Sequence, residues 1–287
     1  MIESPGGFYR GAVTAQFLHF QTTLLLFFRP IFARFKNTDL LSQSFSPAII
    51  GEPFIVLPQV ESTNNYAMGL VHAGLASHGT AVFTSHQIAG KGQRGKIWQA
   101  APGKNIALSL ILKPGLNFNG FSLSALIAVC CREWYEGLAK SEVFVKWPND
   151  IYWRDRKAAG ILIENSFRDG NWLWSVVGIG INVNQTEFPT TVRNAVSLKQ
   201  ITGSEHDPEL LARELCKLIN HRINEFQSAR LLAEYNEHLY ARNKLVRLKK
   251  DNAVFETTIK KVDAAGNLIT QDVIERSFQF GEVEWMH

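Results

Sequence analysis

Lys146-Trp147-Pro148-Asn149-Asp150, with Lys157-Ala158-Ala159-Gly160-Ile161-Leu162 close behind it, is the stretch on which the reading of this chain turns. Proline fixes its own φ and disfavours the helical region for the residue before it, so Trp147 is extended and the segment is a strand edge or a turn. Such a turn presents Asn149 and Asp150 at a site instead of burying them, and a carboxylate there can hold Mg2+. Lys157 stands just before an apolar strand. Its ammonium group either reaches over a pocket or is solvated, as lysines at strand ends commonly are, and the surroundings must decide.

Working outward, residues 143–146 have strand character, and residues 121–138 repeat apolar side chains at helical spacing (Leu123, Leu126, Ile127, Trp134, Leu138). Residues 151–153, 159–164 and 172–183 are adjacent strands, the last two joined by a turn at Arg168-Asp169-Gly170. Gly178 and Gly180 mark where that backbone passes close to something. Upstream, strands are expected at 54–57, 80–85 and 105–112, and Ser62 caps a helix. Downstream, Asp207 caps a helix with Pro208 at its first position, striped by Leu211, Leu215, Leu218, Ile219 and Phe226. A second helix carries Leu231, Leu232, Tyr235 and Leu239. After Arg242 short strands at 244–248, 255–262, 267–270 and 277–280 alternate with polar turns, which predicts a small barrel. So few residues bury little surface alone, so the module is expected to lean on the body. The domain reading is therefore 1–50, an extension of doubtful origin; 51–242, the catalytic body; and 243–287, the barrel.

Hydrophobic residues make up 46% of the 287 and charged residues 20%, the balance of an ordinary globular protein and not of a disordered one. A net charge of +4, spread along the chain, implies no nucleic acid. Three cysteines, two of them the neighbours Cys130 and Cys131, make neither a disulfide framework nor a zinc site, and a cytoplasmic location fits. Residues 17–28 are apolar and aromatic, but they fall short of the roughly 20 that span a bilayer, and His19 and Gln21 interrupt them. No membrane span is expected. A dispensable leader from an upstream start, a targeting segment and a packed element stay open for residues 1–50.

Two further segments carry chemistry. Gly90-Lys91-Gly92-Gln93-Arg94-Gly95-Lys96-Ile97-Trp98 puts three glycines and three cations before a tryptophan. It is either an anion-binding loop, whose glycines let backbone approach a phosphate, or a solvated one. It is not a Walker loop, and it does not open a helix as a dinucleotide fingerprint does. Glu61-Ser62-Thr63-Asn64 is either a helix cap or a set of donors and acceptors suited to a ureido or amide ligand.

Taken in order, Ser62-Thr63-Asn64, the basic loop ending at Trp98, Lys146 to Asp150, Lys157 to Leu162 and Gly180-Ile181-Asn182 resemble the biotin protein ligase family, from Gly51 to the C-terminus. The resemblance is to the monofunctional form, because residues 1–50 have neither the length nor the helix pattern of a winged helix-turn-helix. It implies an α+β fold: a mixed β-sheet with flanking helices, like that of class II synthetases, plus a C-terminal SH3-like β-barrel. It further implies an ATP-dependent ligase that forms biotinyl-5'-AMP from biotin and ATP, with Mg2+, and transfers biotin to a lysine of a biotin carboxyl carrier protein domain. The carrier is expected in acetyl-CoA carboxylase or a related carboxylase. No DNA and no membrane partner is expected, and a homodimer is left open.

Carried over by position, the resemblance assigns Ser62, Thr63, Asn64, Gln87, Lys91, Gly92, Gln93 and Lys157 to biotin, with Gly160 to Leu162 along its tail. It assigns Lys91, Arg94, Lys96, Trp98, Asn149 and Asn182 to ATP or the adenylate, Lys157 and Arg94 to catalysis, and Asp150 to Mg2+. Gln93 stands where arginine is common in the family, which bears on how tightly the adenylate is retained. The loop is expected to act as a lid that orders on ligand. A lipoyl or octanoyl transferase is the rival within the fold, and a repressor using biotinyl-AMP as corepressor is the rival outside it.

Overall fold

Residues 106–112, Ile-Ala-Leu-Ser-Leu-Ile-Leu, form a strand with every residue buried, so both of its faces are covered. The computed structural model describes residues 49–286 other than 116, 117, 191 and 193; readings placed on residues 1–48 lie outside the described residues. In chain order the elements of the body are β1 (Phe54–Val56), α1 (Thr63–His72), β2 (Ala81–Thr84), β3 (Ile106–Leu112), α2 (Gly120–Ala139), β4 (Val143–Lys146), β5 (Asp150–Trp153), β6 (Arg156–Arg168) and β7 (Asn171–Ile181). Three helices follow: α3 (Leu198–Thr202), α4 (Pro208–Asn224) and α5 (Ser228–Glu237). The sheet runs β1-β2-β3-β7-β6-β5-β4, with β1 and β2 parallel and every other pair antiparallel.

Period-two alternation divides β3 between two layers. Ile106, Leu108, Leu110 and Leu112 join the large core built with α2 and α4, while Ile111 joins a smaller cluster with Ala67 of α1, Val82 and Val176. Ser109 faces the α1 side, where its hydroxyl meets Thr63 and Asn64. The helix caps follow sequence chemistry. The Ser62 hydroxyl accepts from Asn65 N at 3.4 Å, and one Asp207 carboxylate oxygen accepts from Glu209 N and Leu210 N at 2.9 and 3.2 Å. No helix among the described residues is long and apolar enough to cross a membrane.

The second sheet, β8 (Leu245–Lys250), β9 (Ala253–Val262), β10 (Leu268–Gln271), β11 (Glu275–Phe278) and β12 (Glu284–Met286), is antiparallel in the order β11-β10-β9-β8-β12. The α+β architecture with a second antiparallel sheet is as expected. Strand β12 and helix α3 were not foreseen: each is too short, at three and five residues, to show a period. Strand β6 is longer than 159–164 because its far end is a polar hairpin with β7, braced by the stacked rings of Phe167 and Trp172 at 6.3 Å.

The small sheet seats on the body through specific contacts. Its Leu248, Ile259, Val262 and Leu268 belong to the same buried cluster as α2. The Asn236 side chain donates to Val262 O at 2.8 Å and accepts from Val262 N at 2.6 Å, and Trp147 Nε1 donates to Gly266 O at 3.0 Å. Gly266 has φ +90°, and a Cβ there would lie 2.6 Å from the Phe121 ring. Gly266→Ala is therefore expected to cost about 2 kcal/mol, backbone strain and a core clash combined. Urea unfolding should show a lower midpoint; an unmoved midpoint would mean that Phe121 gives way freely.

Candidate active site

Three glycines without side chains make the floor of a cavity of about 480 Å³. Gly160 of β6 pairs across the ladder with Gly180 of β7, and Gly178 lies two residues before it on the same face. A Cβ at Gly180 would stand 2.5 Å from the Trp98 indole, one at Gly160 3.3 Å from the same ring and 3.2 Å from Lys157 Nζ, and one at Gly178 2.3 Å from Asn64 Oδ1. The floor is glycine because an indole, a lysine and a carboxamide lie on it.

The polar wall comes from the start of α1. Thr63 N donates to Gln87 Oε1 at 2.9 Å, the Ser109 hydroxyl lies 2.8 Å from Thr63 Oγ1 and 2.6 Å from Asn64 Oδ1, and Asn64 Nδ2 donates to Glu164 Oε2 at 2.8 Å. Ser62, Thr63, Asn64 and Gln87 thus stand together at one end of the cavity. Ser109 and Glu164 were missed. Ser109 did leave a signal, being the one polar residue in its strand.

The charged end lies on β5 and β6. Lys157 Nζ is 2.6 Å from Asp150 Oδ1, with side chains 31% and 26% exposed, and 5.9 Å from the centre of the Trp98 ring. The backbone of Lys157 is fixed on both sides: its N–H donates to Asn194 O at 2.6 Å, and its carbonyl accepts from Val196 N at 2.9 Å and from Asn182 Nδ2 at 3.3 Å. Asn182 is buried in this role. Asn149 corrects an expectation. The turn buries it to 6% exposure, with its amide donating to Ile161 O and its carbonyl accepting from Ile161 N at 3.1 Å, because β5 must enter the ladder at Asp150.

The basic loop closes on itself. Trp98 N donates to Gly90 O at 2.8 Å, Gly92 N to Lys96 O at 2.7 Å, and Lys96 N to Gln93 O at 3.1 Å around a short 3₁₀ turn. Lys91 and Lys96 are exposed, and Gln93 Nε2 reaches Ile161 O at 3.4 Å. Arg94, in the left-handed region at φ 54°, has its guanidinium 5.5 Å from the Phe280 ring and against Gly281, both in the connection between β11 and β12, and 4.0 Å from Glu284 of β12. Trp98 Nε1 is buried without a hydrogen-bond partner.

Lys146, which opens the motif but was given no role there, lines the cavity at 4% exposure. Its ammonium sits 4.5, 5.0 and 5.5 Å from the rings of Tyr152, Trp285 and Tyr240, and 3.3 Å from the Tyr152 hydroxyl. Burial pushes it from 10.5 down to about 8; Asp150 opposes this and Lys157 adds to it. No group of three His, Cys, Asp or Glu side chains able to hold a metal occurs among the described residues. A single carboxylate, Asp150, fits a magnesium ion held mainly by phosphate and water and does not make a dedicated cage.

These features put a polar wall and a cationic end in one cavity, built on the sheet of an α+β fold. The profile of the Biotin/lipoate A/B protein ligase family matches residues 56–182. The bifunctional ligase/repressor BirA of Escherichia coli is 31% identical over 242 residues, 81% of this chain and 74% of that one. The biotin--[acetyl-CoA-carboxylase] ligase of Mycobacterium tuberculosis is 30% identical over 193 residues, 63% of this chain and 68% of that one. Among solved structures, the biotin protein ligase from Aquifex aeolicus in complex with biotin and ATP superposes with a TM-score of 0.69 at 25% identity, covering 80% of this chain and 97% of that one. The chain belongs to the biotin/lipoate A/B protein ligase family.

Lys146 generates a pH prediction. Its folded-state value lies below the unfolded one, so between pH 8 and 10.5 the unfolded chain holds the proton more tightly, and stability rises with pH across that window. Below pH 8 the full penalty applies, about 3 kcal/mol at 1.36 kcal/mol per unit. Lys146→Met should therefore raise stability at pH 7 by about 1 to 3 kcal/mol, less whatever the aromatic contacts contribute, and the gain should shrink by pH 10.5. Urea unfolding at the two pH values checks it; a gain independent of pH would show that the charge is not the cause.

Proposed function

We propose that this chain is a biotin protein ligase that forms biotinyl-5'-AMP from biotin and ATP and transfers biotin to a lysine of a biotin carboxyl carrier protein domain. The observation that carries this reading is the placement of two unlike ends on one strand face. Asn64 lies on Gly178, while Lys157 and Trp98 lie on Gly160 and Gly180, about 7 Å further along β7. A ureido head, a short apolar tail and a carboxylate match that order. The shared fold with a ligase solved with biotin and ATP supports it.

In this reading Ser62, Thr63, Asn64 and Gln87 take the head, Gly160 to Leu162 flank the tail, and Lys157 faces the carboxylate and α-phosphate. Lys91, Gly92 and Gln93 close over biotin and adenylate, with Lys91 and Lys96 adding positive charge, and Trp98 and Asn182 border the adenine. Two anions must meet for the carboxylate oxygen to attack the α-phosphorus and expel pyrophosphate, so cations matter more than a base. A carboxylate is already a nucleophile at neutral pH, and no triad is needed. Asp150 would hold a magnesium ion, which would neutralise charge on the phosphates. Asn149 acts on the site by holding the turn to Ile161. Arg94 lines the cavity, where it adds positive charge toward the phosphates and the catalytic step, and its contacts with Phe280 and Glu284 hold the loop to the C-terminal module. The domain reading stands as part of this proposal: body at 51–242, barrel at 243–287, and an extension before residue 51 that the chemistry does not use. A carrier in acetyl-CoA carboxylase and a cytoplasmic setting accord with it.

Incubation with a carrier domain, ATP and either biotin or lipoate, followed by intact mass spectrometry, decides between the two branches of the family. Biotinylation is expected; a lipoyl mass shift in its place would refute the reading. Lys157→Ala should keep the fold, since its ion pair is partly exposed and such pairs contribute little. It should lose roughly 2 to 4 kcal/mol of transition-state stabilisation, a pyrophosphate-release rate about 30- to 900-fold lower. An undiminished rate would remove Lys157 from the chemistry. Deleting residues 1–48 should leave biotin transfer unchanged, as read by the same mass shift, and a loss of activity in soluble truncated protein would assign those residues a part in the site.

A further inference from the structure

The hydrogen-bond network at the head of the cavity has a fixed polarity. Asn64 Nδ2 faces two groups that can only accept, the Glu164 carboxylate at 2.8 Å and Leu162 O at 3.4 Å. Turning the amide over would set its oxygen against both acceptors, so Glu164 locks the orientation. Asn64 Oδ1 then lies 2.6 Å from the Ser109 hydroxyl, which must donate because an amide oxygen cannot. Ser109 has only one proton, so its 2.8 Å contact with Thr63 Oγ1 takes the threonine's, which leaves none for Gln87 Oε1 at the longer 3.3 Å. Gln87 is locked as well. Its Oε1 accepts from Thr63 N at 2.9 Å, which leaves Nε2 as the other end, lying where a Cβ on Gly90 would come within 2.5 Å. Gly178 and Gly90 make room for the two carboxamides.

Both side chains line the cavity. Each has capacity of one sign to offer: Asn64 Oδ1 a second lone pair, Gln87 Nε2 its N–H donors. We infer that Glu164 and Ser109 are positioning residues which present Asn64 as an acceptor beside Gln87 as a donor, and that this pair selects a head group carrying both N–H and C=O. The inference deepens the ligase reading and rests on it. A cyclic urea has both groups, whereas a dithiolane or an alkyl end has neither. Selection arises because the wrong head would cover the Gln87 Nε2 donors and the second lone pair of Asn64 Oδ1 without offering either a partner.

Steady-state adenylation with biotin varied at saturating ATP tests this in wild type, Glu164→Ala, Ser109→Ala and Glu164→Gln. The two alanine variants should raise the KM for biotin about tenfold, the effect of one hydrogen bond, with kcat and the KM for ATP within about twofold. Glu164→Gln keeps an acceptor of the same reach and should return the KM close to wild type. A biotin analogue with one ureido N–H replaced by oxygen, each position in turn, gives the second readout. Wild type should bind one of the two about tenfold more weakly than biotin, and Glu164→Ala should lose most of that discrimination. Unchanged KM values, a uniform fall in every constant, or equal discrimination in wild type and Glu164→Ala would each overturn the inference while leaving the ligase reading intact. Wild type that adenylates lipoate and not biotin would overturn both. Glu164→Gln and Ser109→Ala alter the fewest atoms and keep the test open if Glu164→Ala is insoluble.

Discussion

The paired strands β6 and β7 lack side chains at the three points where the site needs backbone to be reached. Any Cβ at Gly178 or Gly180 would stand within 2.5 Å of an Asn64 or Trp98 atom, closer than nonbonded carbon ever comes. The cost of that arrangement is conformational, since glycine gives up the most freedom on entering a strand. The seven-stranded ladder offsets it: β6 and β7 are paired from Ala159 to Ile181 and from Arg168 to Asn171, so the glycines are held by neighbours that do pack. Removing the side chains lets α1 approach from one end and the basic loop from the other. Polar and cationic ends of the cavity are set by which glycine each covers.

Electrostatics at the cationic end is a matter of balance. Lys157 and Asp150 are close enough for a charge-assisted hydrogen bond, yet both are about a quarter to a third exposed, so their attraction is screened and the pair can be exchanged for a better partner at small cost. Lys146 is different. It is sequestered among three rings, and burial, more than the neighbouring Lys157, lowers its affinity for the proton. One lysine is thus available to an incoming anion, and the other is held in reserve by aromatic faces from β5, the segment after α5, and β12.

Much of the fold was legible because β3 is an apolar run broken only by Ser109, and because α2, α4 and α5 carry helical periods, with a chemical cap such as Asp207 before Pro208. The ends of elements were less so, and β12 was invisible because three residues carry no period. At the site, Ser62, Gln87, Trp98 and Lys157 could be placed together from motif order alone. What motif order could not convey is direction. Asn149 and Arg94 both line the cavity, but motif order did not show that the first is tied to Ile161 of the ladder and the second packs against Phe280. Nor could it find Trp285 or Glu164, whose partners lie 138 and 100 residues away.

Trp147 touches the small sheet twice, its indole N–H on Gly266 O and its carbonyl under the indole N–H of Trp285 at 3.3 Å. The residue that begins the turn carrying Asp150 is therefore also a clasp for a separate sheet. Loosening that sheet withdraws support from the turn, and straining the turn pulls on the sheet, so neither can open at a free energy of its own. The two sheets are bound into one cooperative unit, and a partly unfolded chain that keeps the large core but frees the small sheet would no longer hold its charged turn in register.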